Sequence, residues 1–379
     1  MMRGFVNLVT INWIERAYSV RRMDPYKQFF YQSAKAAIDA ADEAAMKQSV
    51  PGLHTLELPR SVMNFTASDC GGTMDMFALF RPRPRATCEG RLVYFNRIGE
   101  AGLYDADKHV HSTLSVLNEP KGTSPMCLSM LPHPGTNKDN MYVLDGSPGR
   151  ANGRCFEVLE PMPNPSGLRS NCGWPDWRWR LLPPPPFIHE SGYMPSSITA
   201  YTTVVDVNGC SSIYVSFAGG IGTYKFETAR PDPRSHLGWS PSEEWSYVGA
   251  WTLPFDGRAQ YVPEFDLWFG FSDFSPSHLS AVDLSAIDGE QPPTALQVGQ
   301  DLNLPDKEYW VPVYLELVNL GDGKFLIARI FEIEETLEQF AVLTGIEMMA
   351  GVGDDHSVKV VKHKCVRYTF GDDAIKCVL

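Results

Sequence analysis

Three scarcities narrow the reading of this chain. Charged residues are only 21% of its 379 positions, too few for a chain held open by its own charge. Long apolar runs are missing, and nothing approaches the roughly 18 residues that a membrane-spanning helix needs. The best N-terminal stretch, Phe5 to Ile11, is interrupted by Asn7 and followed by Asn12, Trp13 and Glu15 with no small-residue cleavage site, so it fails as a secretory signal. Positive charge is in deficit: the formal net charge is −12, which repels nucleic acid and anionic membranes at long range. Two local basic clusters run against that sign. Arg81, Arg83 and Arg85 are spaced by prolines like a solvated loop, and Lys359, Lys362, Lys364 and Arg367 look like one strand face. The eight cysteines (Cys70, Cys88, Cys127, Cys155, Cys172, Cys210, Cys365 and Cys377) share no short spacing, which argues against a zinc module or a compact disulfide framework. They fit small buried residues in a reducing compartment. Without secretion, the sequon Asn64-Phe65-Thr66 carries no weight. The expectation is a soluble, monomeric protein of the cytoplasm or nucleus, with no nucleic-acid or membrane partner.

What the chain does have is repetition. Six times an aromatic or β-branched run is followed, after a turn, by a second: Val6–Asn12 with Ala17–Met23, Arg91–Arg97 with Gly102–Asp107, Asn140–Asp145 with Cys155–Glu160, Ser212–Phe217 with Thr223–Thr228, Asp266–Phe271 with Leu279–Leu284, and Lys324–Ile330 with Phe340–Met348. A strand pair recurring every 50 to 85 residues or so implies radial β repetition, because no single unit buries its own apolar face. Asn152-Gly153, Asn208-Gly209, Asp256-Gly257 and Asp322-Gly323 supply hairpin turns. Ile198–Val207, Ser212–Phe217, Thr223–Thr228 and Trp245–Leu253 give four consecutive strands, the count of one propeller blade. The fold expected is therefore an all-β propeller of about six four-stranded blades, five or seven remaining open, forming one domain over residues 1–379. Its C-terminal strands, Lys359–Phe370 and Ile375–Leu379, should complete the blade opened by Val6–Asn12 and so remove the sheet edges. One helical insertion interrupts it within residues 25–50: Asp24 and Pro25 start it, Ser33–Gln48 is alanine-rich, and Val50-Pro51-Gly52 stops it. It is expected between the first two blades, packing its small residues on the ring.

Several segments resemble a family. Gly219-Gly220-Ile-Gly-Thr-Tyr224-Lys-Phe, Trp245, Gly249-Ala-Trp251 to Ala259, Tyr261-Val-Pro-Glu264 and Leu267-Trp268-Phe-Gly270 are similar to a grass-expanded plant family known as the domain of unknown function 1668. Leu103-Tyr104-Asp-Ala-Asp107, Trp177-Arg-Trp179 to Pro186, and Val361-Lys-His-Lys364 extend the likeness from Tyr18 to Phe370. The resemblance implies a kelch-like propeller, in which a double glycine precedes a Tyr and a Trp, and it implies no activity. Plant kelch-like rings are often joined to an F-box, but nothing before Pro51 resembles one.

Candidate chemistry is sparse. His109-Val-His111 would place two imidazoles on one strand face, the start of a metal site if other ligands converge. His363 beside Cys365 suggests a base and nucleophile, yet lacks a third group. Asp354-Asp355 and Asp372-Asp373 sit in Gly-bounded turns and are expected to be solvated. Gly321-Asp-Gly-Lys324 lacks the length of a phosphate loop and is expected as a hairpin turn. Trp174, Trp177 and Trp179 before Pro183–Pro186 would form a peptide- or sugar-binding surface if exposed, and blade packing if buried. No catalytic, cofactor-binding or metal residue is assigned from these. The leading expectation is a non-catalytic scaffold that binds a protein partner through its loops. The alternative is a carbohydrate binder, or an oxidase- or hydrolase-type enzyme, using the central channel. A cluster of His, Asp, Glu or Tyr at the channel would favour the alternative.

Overall fold

The computed structural model describes residues 3–46, 53–66, 76–80, 90–122, 124–133, 136, 138–149, 153–162, 177–206, 208–235, 238–273, 277–285, 287, 291–299, 302, 310–351 and 358–379. The first half of the chain forms β1 (Val6–Asn12), β2 (Ala17–Met23), α1 (Pro25–Phe29), α2 (Ala34–Met46), β3 (His54–Glu57), β4 (Ser61–Thr66), β5 (Met76–Leu79), β6 (Arg91–Phe95), β7 (Ala101–Asp105), β8 (Val110–Thr113), β9 (Met126–Met130), β10 (Asn140–Leu144), β11 (Phe156–Pro161) and β12 (Trp177–Leu181). The second half forms β13 (Ile198–Val205), β14 (Ser211–Phe217), β15 (Gly222–Pro231), β16 (Trp239–Gly249), β17 (Asp256–Val262), β18 (Leu267–Phe271), β19 (Leu279–Val282), β20 (Leu296–Gln297), β21 (Trp310–Gly321), β22 (Lys324–Ile333), β23 (Gln339–Ala350), β24 (Val358–Thr369) and β25 (Asp373–Val378).

These strands make an all-β, propeller-like array of sheets with few helices. The orders are β25-β1-β2-β4, β5-β6-β7-β8, β9-β10-β11-β12, an eight-stranded sheet, and β21-β22-β23-β24-β3. The eight-stranded sheet is two antiparallel runs, β13 to β16 and β17 to β20, joined by parallel pairing of β13 with β17 at Ala200↔Gly257 and Tyr201↔Arg258. Every apolar pair seen in the sequence is an antiparallel hairpin at the middle of its run: β1·β2, β6·β7, β10·β11, β14·β15, β18·β19 and β22·β23. The physical reason is cover. A middle strand has neighbours on both edges and a sheet on each face, so it carries an unbroken apolar run. β7 and β10 are accordingly buried along their whole length, whereas the outer β8 and β20 are mostly exposed.

Packing links each run to the next. One apolar cluster joins β1 and β2 to β6 and β7 through Val9, Val20, Phe77, Leu92 and Tyr104. Others follow in turn, and the last joins β22 and β23 to β1 through Leu326, Ala328, Leu343, Val6 and Leu8. Phe156, Phe226 and Phe269 are fully buried in these seams, each contributing about 1.5–3 kcal/mol of apolar transfer energy.

The two terminal strands meet in the first sheet. β25 pairs with β1, and Asn7 and Leu379 exchange backbone hydrogen bonds at 2.8 Å. The preceding strand, β24, instead completes the last sheet. The helical insertion also lies elsewhere than expected: it falls inside the first sheet, between β2 and β4. From there α1 and α2 pack on β23 and β24, and β3 pairs parallel to β24 along its outer edge. Gly345 permits this contact, because a side chain there would meet the Phe29 carbonyl at 2.4 Å. Asp24 caps α1 by accepting from the Tyr26 and Lys27 amides at 3.1 and 3.3 Å.

Candidate functional site

The first strands of successive runs lie close together. β13 and β17 touch directly, and one charge, that of the Arg258 guanidinium, acts on Arg3, on Cys127 in β9, on Tyr201 in β13 and on Glu316 in β21. Glu316 in turn acts on Cys377 in β25 and receives the Tyr314 hydroxyl at 3.1 Å. Tyr314 and Glu316 are two apart on one strand and so share a face. Residues from five separate strands thus meet at one place. Arg258 is exposed and Tyr201, Tyr314 and Glu316 are half-buried, although protein encloses the last three on all sides. These three side chains are enclosed by protein yet keep some exposure to solvent.

The electrostatics of this convergence of strands single out one group. Burial pushes the Glu316 carboxyl up to about 7, against the opposing pull of Arg258 and of the Tyr314 hydrogen bond. Near neutral pH it is therefore divided between acid and carboxylate, the condition in which a carboxyl transfers protons best. Burial also pushes the Tyr201 and Tyr314 hydroxyls up, and Glu316 adds to the shift at Tyr314. It raises the Cys127 thiol to about 12 and the Cys377 thiol further, which keeps both protonated and unreactive. Burial lowers Arg3 to about 10, and the like charge of Arg258 adds to this.

The residues singled out in the sequence fall elsewhere. His109 is in a turn with φ 53°, not on a strand; its Nδ1 meets the Tyr104 hydroxyl at 3.2 Å, while His111 Nε2 hydrogen-bonds Tyr94. No group of metal-ligating side chains occurs among the described residues. His363 is buried and its Nδ1 accepts from the Tyr31 amide at 3.2 Å, so its proton is on Nε2, which donates to Glu347 at 3.1 Å. Cys365 contacts Thr344 at 3.1 Å instead of His363. Asp373, expected to be solvated, accepts from Thr10 at 3.1 Å, Asn12 at 3.2 Å and Arg21 at 2.9 Å, tying β25 to β1 and β2. Gly321–Lys324 is the β21·β22 turn, and Lys324 pairs with Glu347 at 3.0 Å.

Trp179 is buried and Trp177 half-buried against Phe80, with centroids 5.1 Å apart. This is packing, the alternative to a peptide- or sugar-binding surface at these two positions. On β24, Lys364 lies over the Tyr31 ring and Arg367 over Phe340. Arg81, Arg83, Arg85, Asp354, Asp355, Trp174, Cys70, Cys88 and Cys172 lie outside the described residues. Glu316 escaped the sequence reading. Its signal is a lone carboxylate in the apolar run Val311-Pro-Val-Tyr-Leu-Glu-Leu-Val318, since an acid in an otherwise apolar strand needs a reason.

The chain belongs to a family. The model of a protein family of unknown function, DUF1668, matches residues 3–368. Comparison with curated proteins gives no match. Among solved structures, an α-L-arabinanase of Cellvibrio cellulosa is similar, with a TM-score of 0.37 and 13% identity over 75% of this chain and 94% of that one. A GH43 β-1,3-galactosidase is similar with a TM-score of 0.34 and 11% identity, over 87% of this chain and 61% of that one. Both are enzymes by name, and the expectation of a non-catalytic interaction scaffold is corrected on that finding.

Proposed function

We propose that the strands converging on Glu316 enclose an axial cleft, and that this cleft is a catalytic site for a carbohydrate-class substrate in a hydrolase-type enzyme built on a kelch-like ring of six blades over residues 1–379. The ring is supported by the six mid-run hairpins, by apolar clusters shared between consecutive runs, and by the β25·β1 seam. The kelch-like assignment is supported by Gly219 and Gly220, both at positive φ between β14 and β15, with Tyr224 packed on Tyr247 and Trp245 on Phe226. The observation that carries the function is Glu316, a carboxyl near pKa 7 where strands of separate sheets converge.

Its chemistry follows from its neighbours. Glu316 gives or takes the proton, Tyr314 orients its Oε2, and Arg258 stabilises negative charge as it develops. A two-carboxylate mechanism needs a second acid facing the first. None faces Glu316 among the described residues, so one carboxyl serves both directions of transfer. Phenol, carboxyl and guanidinium groups beside aromatic rings suit a polyhydroxylated ring.

The test is release of reducing ends from a panel of neutral and acidic glycans by the full chain and by Glu316→Gln. The expected loss is at least about 100-fold in kcat with KM within a few-fold. Turnover unchanged in Glu316→Gln, or neither turnover nor saturable binding of any glycan, overturns the proposal.

A further inference from the structure

Resting on the axial cleft as the substrate site, we infer that its ligand carries an anionic group, in sugar chemistry the carboxylate of a uronic acid, held by Arg258 and Arg3. The Arg258 guanidinium acts on that of Arg3, whose amide is bonded to the Leu320 carbonyl of β21, the strand of Glu316. Neither has an ion-pair partner among the described residues. Three other arginines of the chain do have one: Arg21 with Asp373 at 2.9 Å, Arg178 with Glu160 at 2.6 Å, and Arg180 with Glu243 at 2.6 Å. In a chain of net charge −12, two unpaired cations kept together mark a place reserved for an outside anion.

A second observation points the same way. Arg3 Nη2 is cut off from solvent and has no acceptor, although its backbone is fixed by donation to the Leu320 carbonyl at 2.7 Å. An orphaned buried donor signals an acceptor that arrives with the ligand. Glu316 does not fill this role, since its one hydrogen bond comes from Tyr314. A guanidinium pair suits a carboxylate because each offers a planar fork of donors to its two oxygens. Binding an anion beside Glu316 also strengthens that group's hold on its proton, so the ligand itself loads the acid.

The experiment is titration calorimetry at pH 7.5 on the full chain with digalacturonate, its neutral counterpart galactobiose, and inorganic phosphate. The expected result is digalacturonate bound at least tenfold tighter than galactobiose, with proton uptake seen as a dependence of the heat on buffer ionisation. Arg258→Met and Arg3→Met should each weaken the acidic sugar at least tenfold and the neutral one less than twofold. Arg258 is exposed, so Arg258→Met decides the matter alone if Arg3→Met fails to fold. Equal affinity for both sugars, indifferent to Arg258, overturns the anion site and leaves the carbohydrate reading standing. Phosphate bound through Arg258 with neither sugar bound overturns both the uronate assignment and the carbohydrate reading.

Discussion

Glu157 and Glu316 are both glutamates on strands, both enclosed by protein, and they do opposite things. Glu157 has a complete set of partners: Lys121 Nζ at 2.5 Å, Asn118 Nδ2 at 2.7 Å, and the amides of Asn118 and Glu119 at 3.0 and 3.1 Å. Lys121 is equally satisfied, donating also to the carbonyls of Glu119 and Arg154 at 2.7 and 3.0 Å. The pair fastens the segment leading into β9 onto β11 and has nothing left to give. Glu316 has one neutral donor, and an arginine whose charge reaches it without offsetting burial. Hydrogen bonds left unmade at a buried acid are what make its proton available.

The contrast breaks first at Glu157. Lys121→Met leaves that carboxylate charged and unpaired, and should destabilise by about 3–5 kcal/mol, read as a lowered urea midpoint; the double variant Lys121→Met, Glu157→Leu should recover most of it. At Glu316 the sign reverses. The folded chain holds this proton more tightly than the unfolded chain, so the stabilisation is fully present below the ordinary value of 4.5, declines as pH rises, and is lost above about 7. Glu316→Gln removes this penalty and should stabilise by about 2–3 kcal/mol at pH 8, with little effect at pH 4, in paired denaturation curves. Asp373 stands between these two, well bonded but near the surface. Asp373→Ala should cost about 1–2 kcal/mol and speed amide exchange in β25 and β1 before other strands.

The smallest effect is expected at His363. Burial holds its pKa below the ordinary 6.5 in spite of Glu347. Its contribution is present above that value and declines as pH falls through the folded pKa. His363→Gln should flatten the stability curve on the acid side. An unchanged curve would show that burial does not shift the imidazole's proton affinity in the fold.

The middle strands were legible because cover on both faces forces an unbroken apolar run, as in Met141-Tyr-Val-Leu144. First and outer strands carry no such mark: β20 is two residues long, and β21 begins with exposed residues. The address of the helices was illegible for another reason. It depends on β3 finding β24, a pairing between distant parts of the chain that no local pattern records. The cleft was hidden in the same way. Glu316 looks odd in its own strand, but its company of Arg258 and Tyr201 exists only once separate strands converge.

The seam between β1 and β25 sets a clock. Thr10 and Asp373, hydrogen-bonded at 3.1 Å, are 363 positions apart, which at about 5–20 residues per second is roughly 20 to 70 seconds of synthesis. Throughout that wait β1 presents an unpaired, apolar edge of the kind that recruits strands from other chains. Its β2 side can be covered early, and its β25 side only once β25 has been made. The chain is therefore exposed to misassembly at this edge until β25 has been made, and a chaperone that shields Val6–Asn12 until then should raise its yield.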